Sequence, residues 1–381
     1  MKVAYICADP GIPVFGRKGA SVHIQEVLRA LLQRGAEVTL FTQRLGEAVP
    51  EAFQALTVHS LAALPSGKDA EARARAALAA NPMLISQLND AGPFDLVYER
   101  YSLWSHAGMT YAREAGCRSV LEVNAPLIDE QRTWRELPFE TEAEEVLRQA
   151  LEAAGTIIAV SPGVKTWLNG YPQTGDRVHV VANGVNLQRF SGLTRREATI
   201  PTVGFLGTLK PWHGVQTLTA AFALLHQRGR RVRLSIVGDG PEYATIHRWL
   251  EERGLLDATH FAGAVSPDAV PVLLAEMDIG VAPYPQMAGF YFSPLKIYEY
   301  MAAGVAVIAS HTGHLAEVVS DECTGLLVPP DDPQVLCEAI ERLLDDDALR
   351  QRLGSAGRQQ VASEHSWDRV VAHILQLAGL Q

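Results

Sequence analysis

The stretch from Phe290 to Val307, FYFSPLKIYEYMAAGVAV, predicts a loop, a helix, a tight turn and a buried strand in succession. Ser293 is a good helix-capping residue, and Pro294 suits the first helical position. The first turn of such a helix presents N–H groups that can bind an anion. Lys296 and Glu299 are three residues apart and therefore share one face of the helix. A cation and a carboxylate at this spacing suit a nucleotide diphosphate, whose ribose hydroxyls need a hydrogen-bond acceptor.

The same stretch resembles the signature of the retaining glycosyltransferases of family 4, which have the two-domain GT-B fold. That signature is a Glu, seven residues, a second Glu and a small-residue turn such as AMAAG before a strand. Glu299 fits the second Glu, and the letters EYMAAG match closely. Tyr291 stands where the first Glu is expected, and in the family that Glu touches the donor sugar. A subgroup with the pattern SPLKxxEYMAAG has similar losses, so the resemblance holds despite Tyr291.

Length and composition limit the class of protein. A chain of 381 residues exceeds what one core usually fills, which predicts two domains of similar size. Apolar residues make up 48% of the chain and indicate a well-packed interior. The formal net charge of −10 argues against a nucleic-acid-binding protein, whose surface would be basic.

The N-terminus and the cysteines favour a cytoplasmic protein. Met1 is followed at once by a predicted strand, without the apolar core of a signal peptide. No apolar run approaches the roughly 20 residues of a membrane span. The 4 cysteines are scattered and lack the C-x-x-C spacing of a zinc site.

Short apolar runs alternate with helical stretches, a pattern typical of α/β proteins with parallel sheets and crossover helices. Predicted strands are KVAYICAD, AEVTLFTQ, DLVYERYS, SVLEVN, TIIAVSP and VHVVANG in the first half, and TVGFLGT, VRLSIVGDG, DATHFAGAV, DIGVAPYP, VAVIAS and GLLVPP in the second. A helix is predicted over residues 22–34. Residues 66–91 predict one surface helix, and residues 127–154 predict one long helix or two.

Residues 191–201, SGLTRREATIP, lose the apolar periodicity and predict a linker. We therefore predict an N-terminal domain over residues 1–190 and a C-terminal domain over residues 202–365. The resemblance implies that both are Rossmann-like, with sheets that face each other across a cleft, and that the acceptor binds to the first and the nucleotide sugar to the second. It also implies that residues 366–381 form a helix that crosses back to the N-terminal domain.

The loop after the first predicted strand, GIPVFGRKGASVH, is rich in glycine. Glycine lets a backbone approach a phosphate closely, and the next helix supplies N–H donors. In the family a glycine pair here reaches the donor diphosphate, which makes Gly16 and Gly19 candidate binding residues. An ordinary strand-to-helix turn is the alternative, because the spacing is not G-x-G-x-x-G.

The segment GFLGTLKPWHGV departs from the family pattern of G-R followed by K-G. Thr208 stands in the Arg position and His213 in the Lys position. Lys210 is expected to restore one positive charge near the phosphates, and His213 to donate a ring N–H to phosphate or sugar even when neutral. The alternative is an exposed loop lysine beside a chance histidine.

Three further segments match family positions. Gly238 in VGDGPE resembles a residue whose backbone lies near the nucleotide, and Ala264 and Val265 in FAGAV resemble main chain that selects the base. Simple strand-to-helix packing is the alternative for both. Asn124 replaces a histidine that faces the donor sugar in many relatives, although a strand-end Asn is also a common cap. NGVN, residues 183–186, predicts a turn and hinge.

The predicted catalytic residues are Glu299, Lys210 and Asn124. The predicted substrate-binding residues are Gly16, Gly19, Thr208, His213, Gly238, Ala264, Val265, Tyr291, Phe292, Ser293, Pro294 and Leu295. No spacing in the sequence predicts a metal site.

The resemblance implies retaining transfer of a hexosyl group from a nucleotide sugar, expected to be a UDP-sugar, to an acceptor hydroxyl. It implies neither a metal nor a cofactor, since the UDP-sugar is a substrate. A sugar or polysaccharide, a lipid-linked sugar and a small metabolite remain open as acceptors, as does peripheral contact with a membrane. Two alternatives are a nucleotide-sugar epimerase on the same scaffold and a non-catalytic nucleotide-sugar binder, since Tyr291 lacks a carboxylate charge.

Overall fold

The computed structural model describes residues 1–65, 67, 69–193 and 199–380. Their contacts divide into two compact units. Unit 1 contains Met1–Ala182 together with the segment from Trp367 onward, and unit 2 contains Asn183–Ser366. The predicted α/β class with two parallel-sheet domains is confirmed.

Unit 1 is built on a parallel sheet that has seven strands within the described residues, in the order β3-β2-β1-β4-β5-β6-β7. The strands are β1 Lys2–Cys7, β2 Glu37–Thr42, β3 Thr57–Ser60, β4 Leu96–Arg100, β5 Arg118–Val123, β6 Thr156–Ala159 and β7 Val178–Val180. Both faces of the central strands are buried, which explains their continuous apolar runs.

Unit 2 is built on a second parallel sheet, with six strands within the same described ranges, in the order β10-β9-β8-β11-β12-β13. The strands are β8 Thr202–Leu206, β9 Arg233–Val237, β10 Thr259–Gly263, β11 Ile279–Ala282, β12 Ala306–Ser310 and β13 Leu326–Val328. The twelve predicted strands correspond to all of these except β3. That strand is short and its four residues are exposed or half-buried, so it lacks an apolar signature.

Helices cover the faces of both sheets. In the first half they are α1 Gly19–Gln33, α2 Ala70–Ala79, α3 Asn81–Ala91, α4 Ala107–Ala115, α5 Leu127–Trp134, α6 Glu140–Ala153 and α7 Pro162–Leu168. In the second half they are α8 Val215–Gln227, α9 Tyr243–Glu251, α10 Val270–Ala275, α11 Leu295–Ala302, α12 Leu315–Val318, α13 Pro333–Asp345, α14 Asp347–Glu364 and α15 Trp367–Leu377.

The prediction of one helix over residues 66–91 is wrong, because α2 ends at Ala79 and α3 begins at Asn81. Pro82 lies in the first turn of α3, where its missing N–H costs nothing, but it could not continue α2. Residues 127–154 form two helices, one of the two predicted alternatives. Helix α1 begins at Gly19, three residues earlier than predicted.

The predicted domain boundaries stay a prediction, and residues 194–198 of the predicted linker lie outside the described residues. Asn183 already belongs to unit 2, because its N–H donates to Ser293 Oγ (3.2 Å) and its Nδ2 donates to the Ser293 carbonyl (2.6 Å). At the C-terminus, α15 packs on α1 within unit 1. The Trp367 ring meets the His23 ring edge-on, with centroids 4.8 Å apart.

The turn after α11 is held by close packing against α14. Gly304 has a φ of 69°, a left-handed conformation that suits glycine, and the chain then enters the fully buried strand β12. Gly354 of α14 lies against this turn, and a Cβ at Gly354 would collide with the Gly304 carbonyl oxygen. The two backbones can approach this closely only because position 354 has no side chain.

We expect Gly354→Ala to destabilise the protein. Overpacking costs roughly 1–3 kcal/mol, which outweighs the gain of roughly 1 kcal/mol that alanine brings to a helix interior. The measurement is the unfolding midpoint in urea. Ser355→Ala, one residue further on the exposed side of the same helix, is the matched control and should not lower the midpoint. Equal midpoints for wild type and Gly354→Ala would show that α14 does not pack closely against the turn at Gly304.

Candidate functional site

The strand order of unit 2 reverses between β8 and β11. In open α/β sheets, ligands bind outside the carboxyl ends of the strands at such a switch point. Residues 207–214 follow β8 and residues 283–294 follow β11, so these two loops form the candidate site.

The β8 loop packs against the β9 loop so closely that glycine is required on both sides. Gly207 has a φ of 139° and donates its N–H to the Val237 carbonyl at 2.9 Å. A Cβ at Gly238, whose φ is 137°, would collide with the Gly207 carbonyl oxygen. Gly240 is equally constrained, since its Cβ would lie 2.5 Å from the Leu209 carbonyl oxygen. The predicted residue Gly238 thus lies directly beside the β8 loop.

His213 is locked in one tautomer by the loop itself. Its Nδ1 lies 2.5 Å from the Thr208 carbonyl oxygen, which can only accept, so Nδ1 carries the proton. Burial, followed by the charges of Lys296 and Lys210, lowers the His213 pKa to about 3. The neutral ring therefore presents an acceptor at Nε2, not the N–H donor that the sequence predicts.

Lys210 and Trp212 lie in the same loop. The Lys210 side chain is half-buried, with its Nζ 5.4 Å from the centre of the Trp212 ring. Trp212 meets His213 edge-on at 6.4 Å between ring centres, so the tryptophan contacts both predicted residues.

Helix α11 begins one residue later than predicted. Its first helical residue is Leu295, and Pro294 occupies the capping position without a side-chain hydrogen bond. The prediction that Ser293 caps the helix is wrong, because the Ser293 hydroxyl oxygen accepts from the Asn183 N–H instead. The NGVN turn is thereby fixed to the start of α11.

Two charged residues of α11 have unlike surroundings. Glu299 is nearly buried, and its Oε1 lies 3.6 Å from Arg189 Nη1. Arg189 also donates from Nη2 to the Pro267 carbonyl. Lys296 is 6% exposed, and its Nζ has no hydrogen-bond partner among the residues the structure describes. A Cβ at Gly207 would lie 3.0 Å from this Nζ, which puts the start of α11 beside the β8 loop.

Aromatic rings fill the space between the two loops. Tyr291 packs on Phe292 with ring centres 4.4 Å apart, and Phe292 packs on Tyr284 at 5.7 Å. Tyr284 meets His213 edge-on at 5.4 Å. Tyr291 and Phe292 are both half-buried, so each keeps part of its surface accessible.

The predicted base-binding segment follows β10. Gly263 has a φ of 68°, Ala264 is exposed and Val265 is half-buried. The Gly238 N–H donates to the Gly263 carbonyl at 2.9 Å, which joins this segment to the β9 loop.

Three predicted residues belong to unit 1. Gly16 sits in a loop held by Gln25, whose Nε2 donates to the Gly16 carbonyl at 3.0 Å. Gly19 is exposed at the first residue of α1. Asn124 follows β5, and its buried Oδ1 has no hydrogen-bond partner in the described part of the chain.

A buried polar network at the carboxyl edge of the unit 1 sheet has no counterpart in the sequence predictions. Glu122 accepts from the Tyr98 hydroxyl at 2.8 Å and contacts His23 Nε2 at 2.9 Å, and Arg100 Nη1 lies 3.9 Å away. Burial pushes the Glu122 pKa upward, but His23, Arg100 and Tyr98 together hold the pKa below its usual value.

Glu99 is also fully buried. It accepts from the Ser105 hydroxyl at 2.6 Å and from the Met109 N–H at 3.2 Å, and burial raises its pKa to about 7. These bonds tie strand β4 to the loop that follows it and to helix α4.

A cavity of about 310 Å³ opens at the same edge of unit 1, in contact with the segments that follow β1, β2 and β4. Its lining combines apolar alanines and leucines with polar and aromatic side chains, among them Asp9, Gln43, Arg73, Trp104, Glu130 and Arg135. Such a lining can bind hydroxyl groups and an apolar surface together.

Within the described residues, no group of three or more His, Cys, Asp or Glu side chains is arranged to hold a metal ion. None of the described helices has the length and apolar character of a membrane span.

The structure therefore brings the predicted residues of the β8 loop, the β11 loop and α11 together at the switch point, with Gly238 beside them. Ala264 and Val265 follow the edge strand β10 and are joined to this group through the bond from the Gly238 N–H to the Gly263 carbonyl. Arg189 was missed, since an arginine three residues after a turn carries no sequence signal for pairing with a distant glutamate. The sequence predicts Lys296 as a cation suited to a nucleotide diphosphate, but its burial without a hydrogen-bond partner among the described residues carries no local sequence signal.

Two family models match the chain. The model described as "Glycosyltransferase Family 4" matches residues 17–189, and the model described as "Glycosyl transferases group 1" matches residues 200–346.

Several individual proteins are similar to this chain over most of its length. The D-inositol 3-phosphate glycosyltransferase of Salinispora arenicola is 27% identical, over 95% of this chain and 87% of that protein. The GDP-mannose-dependent alpha-(1-6)-phosphatidylinositol monomannoside mannosyltransferase of Mycobacterium tuberculosis is 29% identical, over 69% of this chain and 70% of that protein. The crystal structure of Anabaena Alr3699/HepE with UDP and glucose has a TM-score of 0.73 at 18% identity, over 100% of this chain and 99% of that one.

We predict that His213 stays neutral well below neutral pH. Because its folded pKa of about 3 lies below the ordinary value of 6.5, the unfolded chain binds this proton first. The free energy of unfolding therefore decreases as the pH falls below about 6.5, because only the unfolded chain takes up this proton there. NMR of histidine-labelled protein, with His213→Gln to assign the signal, should show no His213 titration between about pH 5 and 8. A midpoint near 6.5 would mean that the ring is solvated and the Thr208 bond is broken.

Proposed function

The chain belongs to the glycosyl transferases of group 1 and family 4, and we propose that it moves a hexosyl group from a UDP-sugar to an acceptor hydroxyl with retention of configuration. It has the GT-B fold, and as a glycosyltransferase it draws its sugar from a nucleotide-sugar donor. Four details of this reaction are proposals: the uracil base of the donor, the hexosyl group, the retention of configuration and the class of acceptor.

One observation carries the proposal: the start of α11 and the β8 loop converge at the switch point of unit 2. The N–H groups of Leu295 and Lys296 precede the first hydrogen bond of α11, which runs from the Ile297 N–H to the Pro294 carbonyl at 3.2 Å, and they form the proposed anion site beside Gly207. Glu299 lies one turn further along the same helix. A donor diphosphate at the helix start leaves its ribose within reach of that carboxylate.

Glu299 is the proposed ribose acceptor. A carboxylate has two oxygens and about four acceptor positions, so it can bind Arg189 and two ribose hydroxyls at once. Arg189, whose Nη1 lies 3.6 Å from Oε1, is a counter-charge that holds the carboxylate in place. Hydrogen bonds to an ionised group are the strong ones.

Leaving-group stabilisation is the proposed source of catalysis. In this scheme the diphosphate departs toward the α11 amides, and a donor phosphate oxygen takes the proton of the acceptor hydroxyl on the same face. The C1–phosphate bond breaks as the new glycosidic bond forms, and no enzymic base is needed. Tyr291 and Phe292 are the proposed contacts of the donor sugar in unit 2. We propose that neither a metal nor a cofactor takes part.

Uridine is the base that fits main-chain recognition best. Each residue of a strand-end segment offers one N–H and one C=O. Uracil presents one carbonyl acceptor beside its N3–H donor, and these two groups use up a single N–H and C=O pair of Ala264 and Val265, whereas guanine adds an amino donor that needs a further acceptor. The Anabaena structure holds UDP, whereas the mycobacterial relative is named for GDP-mannose, so guanosine is the competing base.

The cavity of unit 1 is the proposed acceptor site. Its carboxylates and amides suit sugar or inositol hydroxyls, and Trp104 offers a flat apolar face. Arg73 and Arg135 suit an anionic group such as a phosphate on the acceptor. The relatives named above act on inositol phosphate and on a phosphatidylinositol mannoside, both of which carry phosphate.

We predict that UDP raises the melting temperature in the presence of a chelator. The proposed anion site uses backbone dipoles and lysine, so no divalent ion has to bridge to the phosphates. Ligand at about 100 times its Kd stabilises the native state by roughly 2.7 kcal/mol. GDP at the same concentration is the control for the base and should shift the midpoint less. A shift that requires magnesium or manganese would contradict the metal-free site.

A donor assay tests the reaction itself. Incubation with UDP-hexoses and candidate acceptors should release UDP only when an acceptor is present, and NMR of the product should show the anomeric configuration of the donor. An altered sugar without acceptor would indicate an epimerase. UDP binding without turnover for any acceptor would indicate a non-catalytic binder.

We predict that Glu299→Gln weakens UDP binding by roughly tenfold to a hundredfold, since a charge-assisted hydrogen bond contributes about 1.5–3 kcal/mol. Titration calorimetry is the measurement. Glu338→Ala, at an exposed position of α13, is the control and should bind like wild type. UDP that lacks both ribose hydroxyls should bind wild type and Glu299→Gln alike. If Glu299→Gln lost the same affinity for UDP and for UDP without the ribose hydroxyls, Glu299 would serve only to hold Arg189.

A further inference from the structure

Lys296 is an unexplained buried cation. The residue is 6% exposed, and its Nζ has no hydrogen-bond partner within the described residues of the chain. Its nearest neighbours are aromatic faces, with Nζ 4.0 Å from the centre of the Phe205 ring and 4.9 Å from that of Tyr284. These rings attract a cation but provide no counter-charge.

Two costs accompany this placement. Removing an ammonium from water without a paired anion is unfavourable, and burial lowers the Lys296 pKa to about 7. Lys296 is also the second residue of α11, where the positive end of the helix dipole repels a cation. A leucine or methionine would fill the same space without either cost, so packing does not explain the lysine.

An anion at the start of α11 would remove both costs at once. It would pair with the ammonium and with the N–H groups of the first turn. Nζ points toward Gly207, where a Cβ would come within 3.0 Å, so the lack of a side chain at Gly207 leaves room beside the ammonium. In the β8 loop His213 is neutral, and Lys210 is a half-buried cation whose Nζ lies 5.4 Å from the centre of the Trp212 ring.

We propose that Lys296 is the principal cation for the donor diphosphate, bound between its ammonium, the amides of α11 and the backbone of Gly207. This inference rests on the proposed function, since it names the group that holds the donor there. It shifts the main phosphate contact from Lys210 to Lys296.

Proton uptake follows from this arrangement. The other titratable or charged groups around Nζ are Glu299, His213, Tyr284 and Lys210. Burial raises the Tyr284 pKa, so its hydroxyl stays protonated, and His213 stays neutral. A pKa of about 7 leaves Lys296 partly neutral at neutral pH, and a bound anion raises that pKa. Binding of a diphosphate near pH 8 should therefore take up a proton at Lys296.

Titration calorimetry of the full chain with UDP tests the proposal. Lys296→Met keeps the side-chain volume and removes the charge, and we expect UDP affinity to fall by about tenfold to a hundredfold. Lys210→Met should lose less, and Lys165→Met, at an exposed position of α7, should bind like wild type. Uridine, which lacks phosphate, should bind wild type and Lys296→Met equally.

Two further readouts separate binding from structure. Titrations in buffers of different ionisation enthalpy should show proton uptake for wild type at pH 8 and none for Lys296→Met. The unliganded Lys296→Met protein should melt at a higher temperature than wild type, because an unpaired buried charge has been removed. If Lys296 were only structural, the Lys296→Met variant would melt at a lower temperature than wild type and would take up as many protons on UDP binding as wild type.

Several outcomes overturn the proposal. Equal UDP affinity of folded Lys296→Met and wild type would do so, as would an equal loss for uridine and UDP. If wild type binds GDP and not UDP, the proposed base is wrong, and the same comparison is made with GDP and guanosine. If wild type binds neither nucleotide, the proposed function fails, and inorganic pyrophosphate becomes the probe. A pyrophosphate response that does not depend on Lys296, or no response at all, would also overturn it.

Discussion

The close approach of two backbones at Gly207 and Gly238 is the constraint on which the site of unit 2 depends. Neither position can carry a Cβ without a collision or a strained left-handed conformation. The β8 loop can therefore lie flat across the carboxyl edge of the sheet. This position lets the start of α11 come beside Gly207, and it lets the His213 ring turn back to the Thr208 carbonyl. A side chain at either glycine would separate these groups.

Electrostatics within this site follow from burial. His213 is surrounded by aromatic rings, and burial lowers its pKa to about 3, whereas Glu299 has Arg189 as a counter-charge. Lys296 has rings beside it but no hydrogen-bond partner among the described residues. In the unliganded protein the site thus holds a carboxylate that is already paired and an ammonium that is not. Such an imbalance favours a ligand that carries more negative charge than the ribose alone, as a nucleoside diphosphate does.

The sequence predicts the parts of this fold whose signals are local. The run from Lys296 to Val307 folds as predicted, because the apolar periodicity, the turn glycine and the buried strand are all encoded within it. The cap by Ser293 was wrong because its hydroxyl is used by Asn183, a residue distant in sequence. Strand β3 was missed because it lies at the sheet edge and needs few apolar residues. Arg189 could not be found, since its pairing with Glu299 exists only in the folded unit.

The departures from the family pattern form a consistent set once Lys296 is included. In the proposed correspondence with the family pattern, Tyr291 stands in place of a carboxylate, and Thr208 and His213 each stand in place of a cation, so the three departures together amount to the loss of one positive charge. Lys296 supplies one positive charge from a different element, at the edge of the same loop. In the proposed complex, where the bound anion keeps Lys296 protonated, its ammonium replaces the lost charge, and Lys210 of the β8 loop adds a further positive charge. Because Lys296 is buried and its Nζ lies against the Phe205 and Tyr284 rings, this cation is positioned more rigidly than the half-buried Lys210 of the β8 loop.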